Sequence, residues 1–342
     1  MSEYFRPIIR SEREIPSNAQ IMRGTAFWFT HAVKLSRNSE SEIVLAKKIP
    51  NHILDKITKR RPKICRISFD TPTIMGILNV TPDSFSDGGK YSTLNAATEH
   101  CMSMVSAGAD IIDIGGESTR PGAAELDAAQ EISRVIPVLD KVAKEIQVPI
   151  SIDTRKSEVA ELAISSGAVI VNDVSGLTFD SQMAEYCINQ NLPVCIMHSQ
   201  GIPETMQNAP KYKNVCLDIY DFLNEQIEKM IDSGMQRSNI IVDPGIGFGK
   251  TLTHNFDLLK GISLFHGLGV PILIGVSRKK FIKTVAGLKE NEDRVPGSIA
   301  LALFARSQGV QIFRVHDVKE TVQAMKLWHS MSSYSPGDFN AS

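Results

Sequence analysis

Asp243-Pro-Gly-Ile-Gly-Phe-Gly-Lys250 follows directly on the apolar run Ile240-Ile-Val242. A short apolar run that ends in an acid and breaks into a glycine-rich turn fits a buried parallel strand with a carboxylate at its tip. A buried charge left alone is costly, so Asp243 is expected to meet a partner or a ligand. Gly245, Gly247 and Gly249 would let the backbone approach something flat or anionic. A tight strand-to-helix turn with a solvated Asp is the alternative, and the octapeptide alone does not exclude it.

The pattern around it recurs. Seven more short apolar runs alternate with helical stretches: Ile74–Val80, Asp110–Gly116, Pro149–Asp153, Val169–Asp173, Pro193–His198, Pro271–Ser277 and Gln311–His316. Glycine marks the return from helix to strand at Gly108, Gly167 and Gly309, where a helix stop is expected. Asp317 and Glu320 are spaced as the start of a last helix. Apolar strands alternating with helices argue for a parallel sheet covered on both faces. Eight of them fit an α/β (β/α)8 TIM barrel, with a doubly wound open sheet as the alternative. Almost every run ends in a polar side chain, which favours the barrel, because its strand ends converge on one mouth.

Period-two alternation places Ser151 with Asp153 on one face and Arg314 with His316 on another. Asn172 and Asp173 point opposite ways, and Asn172 is taken as the inward one. Two long polar loops, Thr81–Thr93 and Gly115–Ala124, follow the first two runs, and Phe85 reads as an aromatic flap in the first. Arg120, Lys250, Arg278, Lys279 and Arg314 would bring cations to the mouth and suggest an anionic substrate. Neither His-x-His after the first run nor His-Glu-x-x-His occurs, which speaks against an all-protein metal cage. A magnesium ion held by one protein oxygen, with Asn79 the candidate, and by substrate phosphates remains open. The spacing from Gly245 to Thr251 is wrong for a phosphate-binding loop of an NTPase.

At 342 residues, with 42% hydrophobic and 22% charged residues, a sizeable core is expected. The formal net charge of -1 offers no global field for nucleic acid or an anionic membrane. The polar, mixed-charge start is not a secretory signal, so the cytoplasm is the expected location. Five cysteines without a Cys-x-x-Cys read as reduced thiols, with Cys195 a small core residue. Residues 1–70 read as an appended α/β element or barrel cover, with a strand near Thr25–Lys34 and helical character over Ser39–Lys59, capped at Ser39 and broken at Pro50. Residues 331–342 are expected to form a flexible tail.

From Thr73 to about Trp328 the chain resembles the dihydropteroate synthase family. The resemblance rests on Met75–Gly89, Asp113–Gly122, Ser151–Arg155, Val171–Gly176, Asp243–Lys250, Ser277–Lys279 and Arg314–Asp317. It implies a pterin-binding barrel over 71–330 that joins 6-hydroxymethyl-7,8-dihydropterin pyrophosphate to p-aminobenzoate, releasing pyrophosphate. It implies that Asp153, Asn172, Asp243 and Lys279 hold the pterin, with Met197 and Phe248 against ring faces. Asn79 would bind Mg2+, and Arg314 and His316 would hold the leaving group. Arg314, His316 and Lys279 are thus the catalytic candidates. Thr119, Arg120, Pro121, Phe248 and Ser277 would shape the p-aminobenzoate pocket, in which sulfonamides compete in this family. A homodimer is implied as well. A corrinoid-linked reduced-folate methyltransferase and a non-catalytic pterin-binding protein are the rival readings. The arylamine-loop motifs disfavour the first, and the retained Asn79, Arg314 and His316 disfavour the second.

Overall fold

The computed structural model describes residues 3–80, 90–118, 122–201, 205–290 and 292–333. Phe85, Thr119, Arg120, Pro121 and the end of the tail therefore lie outside the described residues.

The chain begins with a three-stranded antiparallel sheet of β1 (Tyr4–Pro7), β4 (His31–Leu35) and β5 (Glu42–Leu45), in the order β1-β4-β5. A two-stranded ribbon of β2 (Gln20–Ile21) and β3 (Trp28–Phe29) and a helix α1 (Asn51–Thr58) complete this N-terminal unit. The helix expected from Ser39 is corrected here: Glu42 opens a strand, and α1 begins only after Pro50. Ile43 and Val44 pair with Val33 and Ala32. Ile43 is 65% exposed and Val44 5%, an alternation that suits a one-sided strand of β-branched residues.

The eight apolar runs all contain strands: β6 (Thr73–Asn79), β7 (Ile111–Gly115), β8 (Ile150–Asp153), β9 (Ile170–Asp173), β10 (Val194–Met197), β11 (Ile240–Asp243), β12 (Leu273–Ile274) and β13 (Ile312–Val315). They pair in parallel in the order β11-β10-β9-β8-β7-β6-β13-β12. A parallel bridge between Val242 and Ile272 closes the ring, with Val242 N donating to Pro271 O at 3.0 Å. The fold is a (β/α)8 barrel, and closure excludes the open doubly wound sheet.

Between the strands run α2 (Lys90–Ser106), α3 (Ala128–Glu145), α4 (Ser157–Ser165), α5 (Ser181–Asn189), α6 (Val215–Asp232) and α7 (Leu252–Gly261). The pair α8 (Lys280–Ala286) and α9 (Val295–Ser307) and the last helix α10 (Val318–Ser333) complete the outer layer. Asp127, Asp180, Asn214 and Thr251 cap α3, α5, α6 and α7 through their side-chain oxygens. Gly108, Gly167 and Gly309 take positive φ where their helices stop. None of the helices among the described residues is long and apolar enough to cross a membrane.

Alternation along the strands sorts the barrel into two cores. Ile74, Leu78, Ile112, Ile114, Ile152 and Val242 belong to the layer under the helices. Met75, Ile111, Ile170, Ile241, Leu273 and Ile312 form a separate inner cluster with Cys195. Most inward-facing rows are thus apolar at the base and polar toward the mouth. The five cysteines are free thiols.

Ile64 and Phe69 of the N-terminal unit join that inner cluster and seal the base. They sit on a tight hairpin in which Ile64 and Ile67 exchange backbone hydrogen bonds of 3.2 and 2.8 Å. Cys65 and Arg66 take the positive φ that a two-residue hairpin turn demands. The unit also reaches the barrel wall. Arg306 of α9 is buried, its guanidinium 4.8 Å from the Phe27 ring centroid and 5.5 Å from that of Trp328. Arg61 donates to Lys56 O at 2.7 Å and to His266 O at 3.1 Å, and Ser263 Oγ donates to Pro7 O at 2.9 Å. The segment is packed into the molecule rather than trailing from it.

Phe69→Ala should lower the free energy of unfolding by about 3–5 kcal/mol, because it empties the base of the inner core. Urea denaturation followed by circular dichroism checks this, and a loss below about 1 kcal/mol would contradict the sealing role.

Candidate active site

The inward residues at the strand ends meet in one buried polar cluster. Arg314 of β13 donates from Nε to Asp113 Oδ2 and from Nη2 to Asp153 Oδ2, both at 2.6 Å. Asn172 Nδ2 donates to the same Asp113 oxygen at 3.0 Å. Asn172 therefore faces inward, while Asp173 turns into its own loop and accepts from Ser175 N and Leu177 N. Three buried atoms of this cluster, Asp113 Oδ1, Asp153 Oδ1 and Ser151 Oγ, have no hydrogen-bond partner among the described residues. Burial raises the Asp153 carboxyl above its ordinary range and Asp113 adds like charge, while Arg314 opposes both.

Asp243 stands beside Met197 across the β10–β11 ladder. Its Oδ1 accepts from Gly245 N at 2.7 Å. Burial raises its carboxyl, opposed by that hydrogen bond and by the charges of Lys279, Lys250 and Arg314. Lys279 Nζ lies 4.3 Å from the Phe248 ring centroid, a cation–π contact. Burial pulls the Lys279 ammonium down to about 8, Asp243 opposing and Arg314 assisting. On the neighbouring strand ends, Ser277 Oγ pairs with His316 Nδ1 at 3.0 Å and accepts from His316 N at 3.1 Å. Asn79 ends β6, the strand beside β13. The strand ends thus bring together Asp153, Asn172, Asp243, Lys279, Arg314, His316, Ser277, Met197, Phe248 and Asn79.

Two of the cations expected at the mouth are committed elsewhere. Arg278 pairs with Asp317 on the rim, Nε donating to Oδ2 at 3.0 Å. Lys250 Nζ donates to Phe248 O at 2.8 Å, His198 Nδ1 at 3.1 Å and His198 O at 3.2 Å. Burial pulls Lys250 down to about 7, and Lys279 adds to this, while Asp243 and the three acceptors favour its charge. Burial, helped by Lys250, pushes the His198 imidazole well below its ordinary range, which suits an Nδ1 that accepts from the ammonium.

The glycines of the 243–250 loop also have a role within the chain. They bring this loop against the chain's own backbone. A Cβ on Gly245 would lie 1.9 Å from His198 O, and one on Gly249 would lie 2.7 Å from Gln200 O. All three glycines have positive φ.

Sequence reasoning missed Asp113 and a second buried charge cluster. Glu117 accepts from Arg155 Nη2 at 3.0 Å and from Lys156 Nζ at 3.1 Å, and Lys156 reaches Glu131 at 2.7 Å. Glu117 also accepts from Leu126 N at 2.9 Å, so one carboxylate joins both stems of the loop between β7 and α3. Arg155 stacks 4.2 Å from the Phe179 ring centroid. A cavity of about 300 Å³ opens there, bounded by Arg155, Ser175, Phe179, Ser199 and Phe248. The available signal was a Gly-Gly-Glu turn and an Arg-Lys pair after two consecutive strands.

A family model described as pterin binding enzyme matches residues 75–316. The chain is 48% identical over 256 residues to a dihydropteroate synthase of Escherichia coli K12, spanning 75% of this chain and 90% of that one. A crystal structure of Yersinia pestis dihydropteroate synthase in complex with a sulfonamide drug superposes with a TM-score of 0.73 at 44% identity, covering 78% of this chain and 97% of that one. A Xanthomonas albilineans dihydropteroate synthase with 4-aminobenzoic acid gives a TM-score of 0.75 at 39% identity, covering 80% and 99%.

Glu117→Ala strands an excess buried cation, and such a loss costs about 3–5 kcal/mol of stability. Glu117→Ala with Arg155→Met removes the stranded cation and leaves the Lys156–Glu131 pair intact, so part of that loss should return. Denaturant titration of both variants checks this, and a double variant less stable than the single one would contradict the network.

Proposed function

Because the chain belongs to the pterin-binding enzymes, and among them to the dihydropteroate synthases, we propose that it condenses 6-hydroxymethyl-7,8-dihydropterin pyrophosphate with p-aminobenzoate. The products are 7,8-dihydropteroate and pyrophosphate, and the enzyme is a transferase. The observation that carries the assignment of residues is the trio of buried atoms on Asp113, Asp153 and Ser151 that have no partner among the described residues, in the same cluster as Asn172. Buried polar atoms left unpaired are costly, and a flat heterocycle with donors beside acceptors along its edge satisfies them together.

In this reading Asp243 and Asp153 accept from the pterin, Asn172 completes the edge, and Met197 packs against the ring. Lys279 lies between Asp243 and Phe248, so it links the pterin to the arylamine. Phe248 and Ser277 are assigned to the arylamine pocket with Thr119, Arg120 and Pro121, and Phe85 keeps its role as an aromatic flap of the first loop.

The arylamine is neutral near pH 7, and its lone pair forms the C–N bond as the C–O bond breaks; the acidic proton then left on nitrogen passes to water or to the released pyrophosphate, so no strong base is needed. The demand falls on the departing pyrophosphate, whose charge grows as the C–O bond breaks. Arg314 uses Nε and Nη2 for its two carboxylates, which fixes the plane of the guanidinium, and Nη1 is assigned to the leaving oxyanion. His316 is oriented by Ser277 on the adjacent strand end and takes the neighbouring phosphate oxygen.

Magnesium suits these donors. Among the described residues there is no group of three or more His, Cys, Asp or Glu able to hold a metal. A hard cation that keeps its waters and substrate oxygens needs little more than the Asn79 amide oxygen. When bound, it would offset charge on the pyrophosphate. A cytoplasmic homodimer with small-molecule substrates completes the proposal.

Three outcomes are expected. The purified protein should release pyrophosphate only when magnesium, the pterin pyrophosphate and p-aminobenzoate are all present; release without the arylamine would refute the condensation. Asp243→Ala should abolish pterin binding in calorimetry, and unchanged affinity would remove that role. The Lys279 ammonium is charged below about 8 and neutral above it. The kcat/KM profile should therefore fall on an alkaline limb near that pH. Lys279→Arg should lose that limb, because a guanidinium stays charged. A limb that persists in the Arg variant would assign it to another group.

A further inference from the structure

The family match begins at residue 75, so the N-terminal unit lies outside it. This unit seals the base of the barrel, yet it also climbs the outer wall toward the mouth. In a (β/α)8 barrel each helix starts at the catalytic face, and α6 starts directly after the 198–214 loop. Arg37 meets the first two turns of α6 there. Its Nη1 donates to Asp218 Oδ1 at 2.6 Å and its Nη2 to Asp221 Oδ2 at 2.7 Å. Tyr4 Oη is 2.9 Å from both Asp221 oxygens. Beneath these contacts Tyr4 packs with Leu217 and Leu264.

Asp218 faces two ways. Its Oδ2 accepts from Lys213 N at 2.8 Å and Asn214 N at 3.1 Å, the last residues of the 198–214 loop. One residue earlier, Tyr212 Oη donates to Gly249 O at 2.8 Å. From the same loop Gln207 Nε2 donates to Gly247 O at 2.8 Å. Phe248 is thus held by a carbonyl on each side, and its ring faces Lys279.

We propose that the N-terminal unit is an intramolecular buttress for the arylamine pocket, with Arg37 as a positioning residue that acts on Phe248 through Asp218 and Tyr212. The proposal rests on the synthase reading above. The coupling is modest in size. The Arg37 side chain is 34% exposed, and its partners are 25% and 48% exposed. Partly exposed ion pairs are individually weak, and two on one guanidinium correspond to about a three- to tenfold effect on binding.

The test uses full-length protein and steady-state kinetics with both substrates. Arg37→Ala should raise KM for p-aminobenzoate by about three- to tenfold and leave kcat and KM for the pterin pyrophosphate within about twofold. Arg37→Lys should recover part of the effect. Tyr212→Phe should raise the same KM, and Arg37→Ala added to Tyr212→Phe should add little, because both cut one chain of contacts. Should Arg37→Ala fail to fold, Asp221→Asn loosens Arg37 while leaving Asp218 on the loop, and a smaller shift in the same KM is expected.

Wild-type protein that makes no dihydropteroate would remove the underlying reading. Active wild type with an unchanged arylamine KM in folded Arg37→Ala would overturn the buttress alone. So would a parallel rise in both KM values that tracks a lower Tm, which reduces Arg37 to a stability role.

Discussion

The mouth of this barrel depends on one guanidinium. Arg314 bridges Asp113 and Asp153 at 2.6 Å each, and Asn172 adds a neutral donor to the same acid. Without that cation, two carboxylates on nearby strands would share a dry interior with no opposite charge between them, a costly arrangement. With it, both acids keep an oxygen that is unpaired among the described residues and available to a ligand. On the proposed reading, the same side chains would meet the heterocycle and set a cation beside the departing phosphate, so binding and leaving-group stabilisation draw on one cluster.

Around this centre the structure spends its other buried charges on holding loops. Lys250 ties Phe248 O to His198, and Glu117 ties the two stems of the β7–α3 loop to Arg155 and Lys156. Buried ions of this kind are weak evidence for stability, yet each one fixes a backbone position, because the alternative is an unpaired charge. The glycines of the 243–250 loop follow the same logic. They admit the neighbouring 198–200 backbone at distances no side chain allows. A loop carrying Phe248 is thereby braced from below, from the side and, through α6, from the N-terminal unit.

That unit shows how an addition to a closed barrel becomes part of it. Ile64 and Phe69 complete an inner core that the strands leave open at the base. Arg306 is shared between the rings of Phe27 and Trp328, so a helix of the barrel and the added unit bury one cation together.

The eight runs, their helices and the polar ends of the strands were legible in the sequence, because alternation with period two and glycine at helix stops are local consequences of backbone geometry. The same alternation allowed only one of Asn172 and Asp173 to face inward, and the contact of Asn172 with Asp113 shows which one does. The strand at Glu42–Leu45 reads as helix from sequence, since the partners that make Ile43 and Val44 a strand lie ten and twelve residues away in β4. Asp113 was visible as a residue but not as the acid that Arg314 and Asn172 share, and Lys250 looked like a free cation. Those facts depend on which side chains meet across 52 to 201 residues of chain. Local pattern determined the strands, their order of inward faces and the chemistry available at the mouth. Only the closed tertiary structure decided which charges pair with each other and which remain for a ligand, because pairing is set by distance across the barrel and not by spacing along the chain.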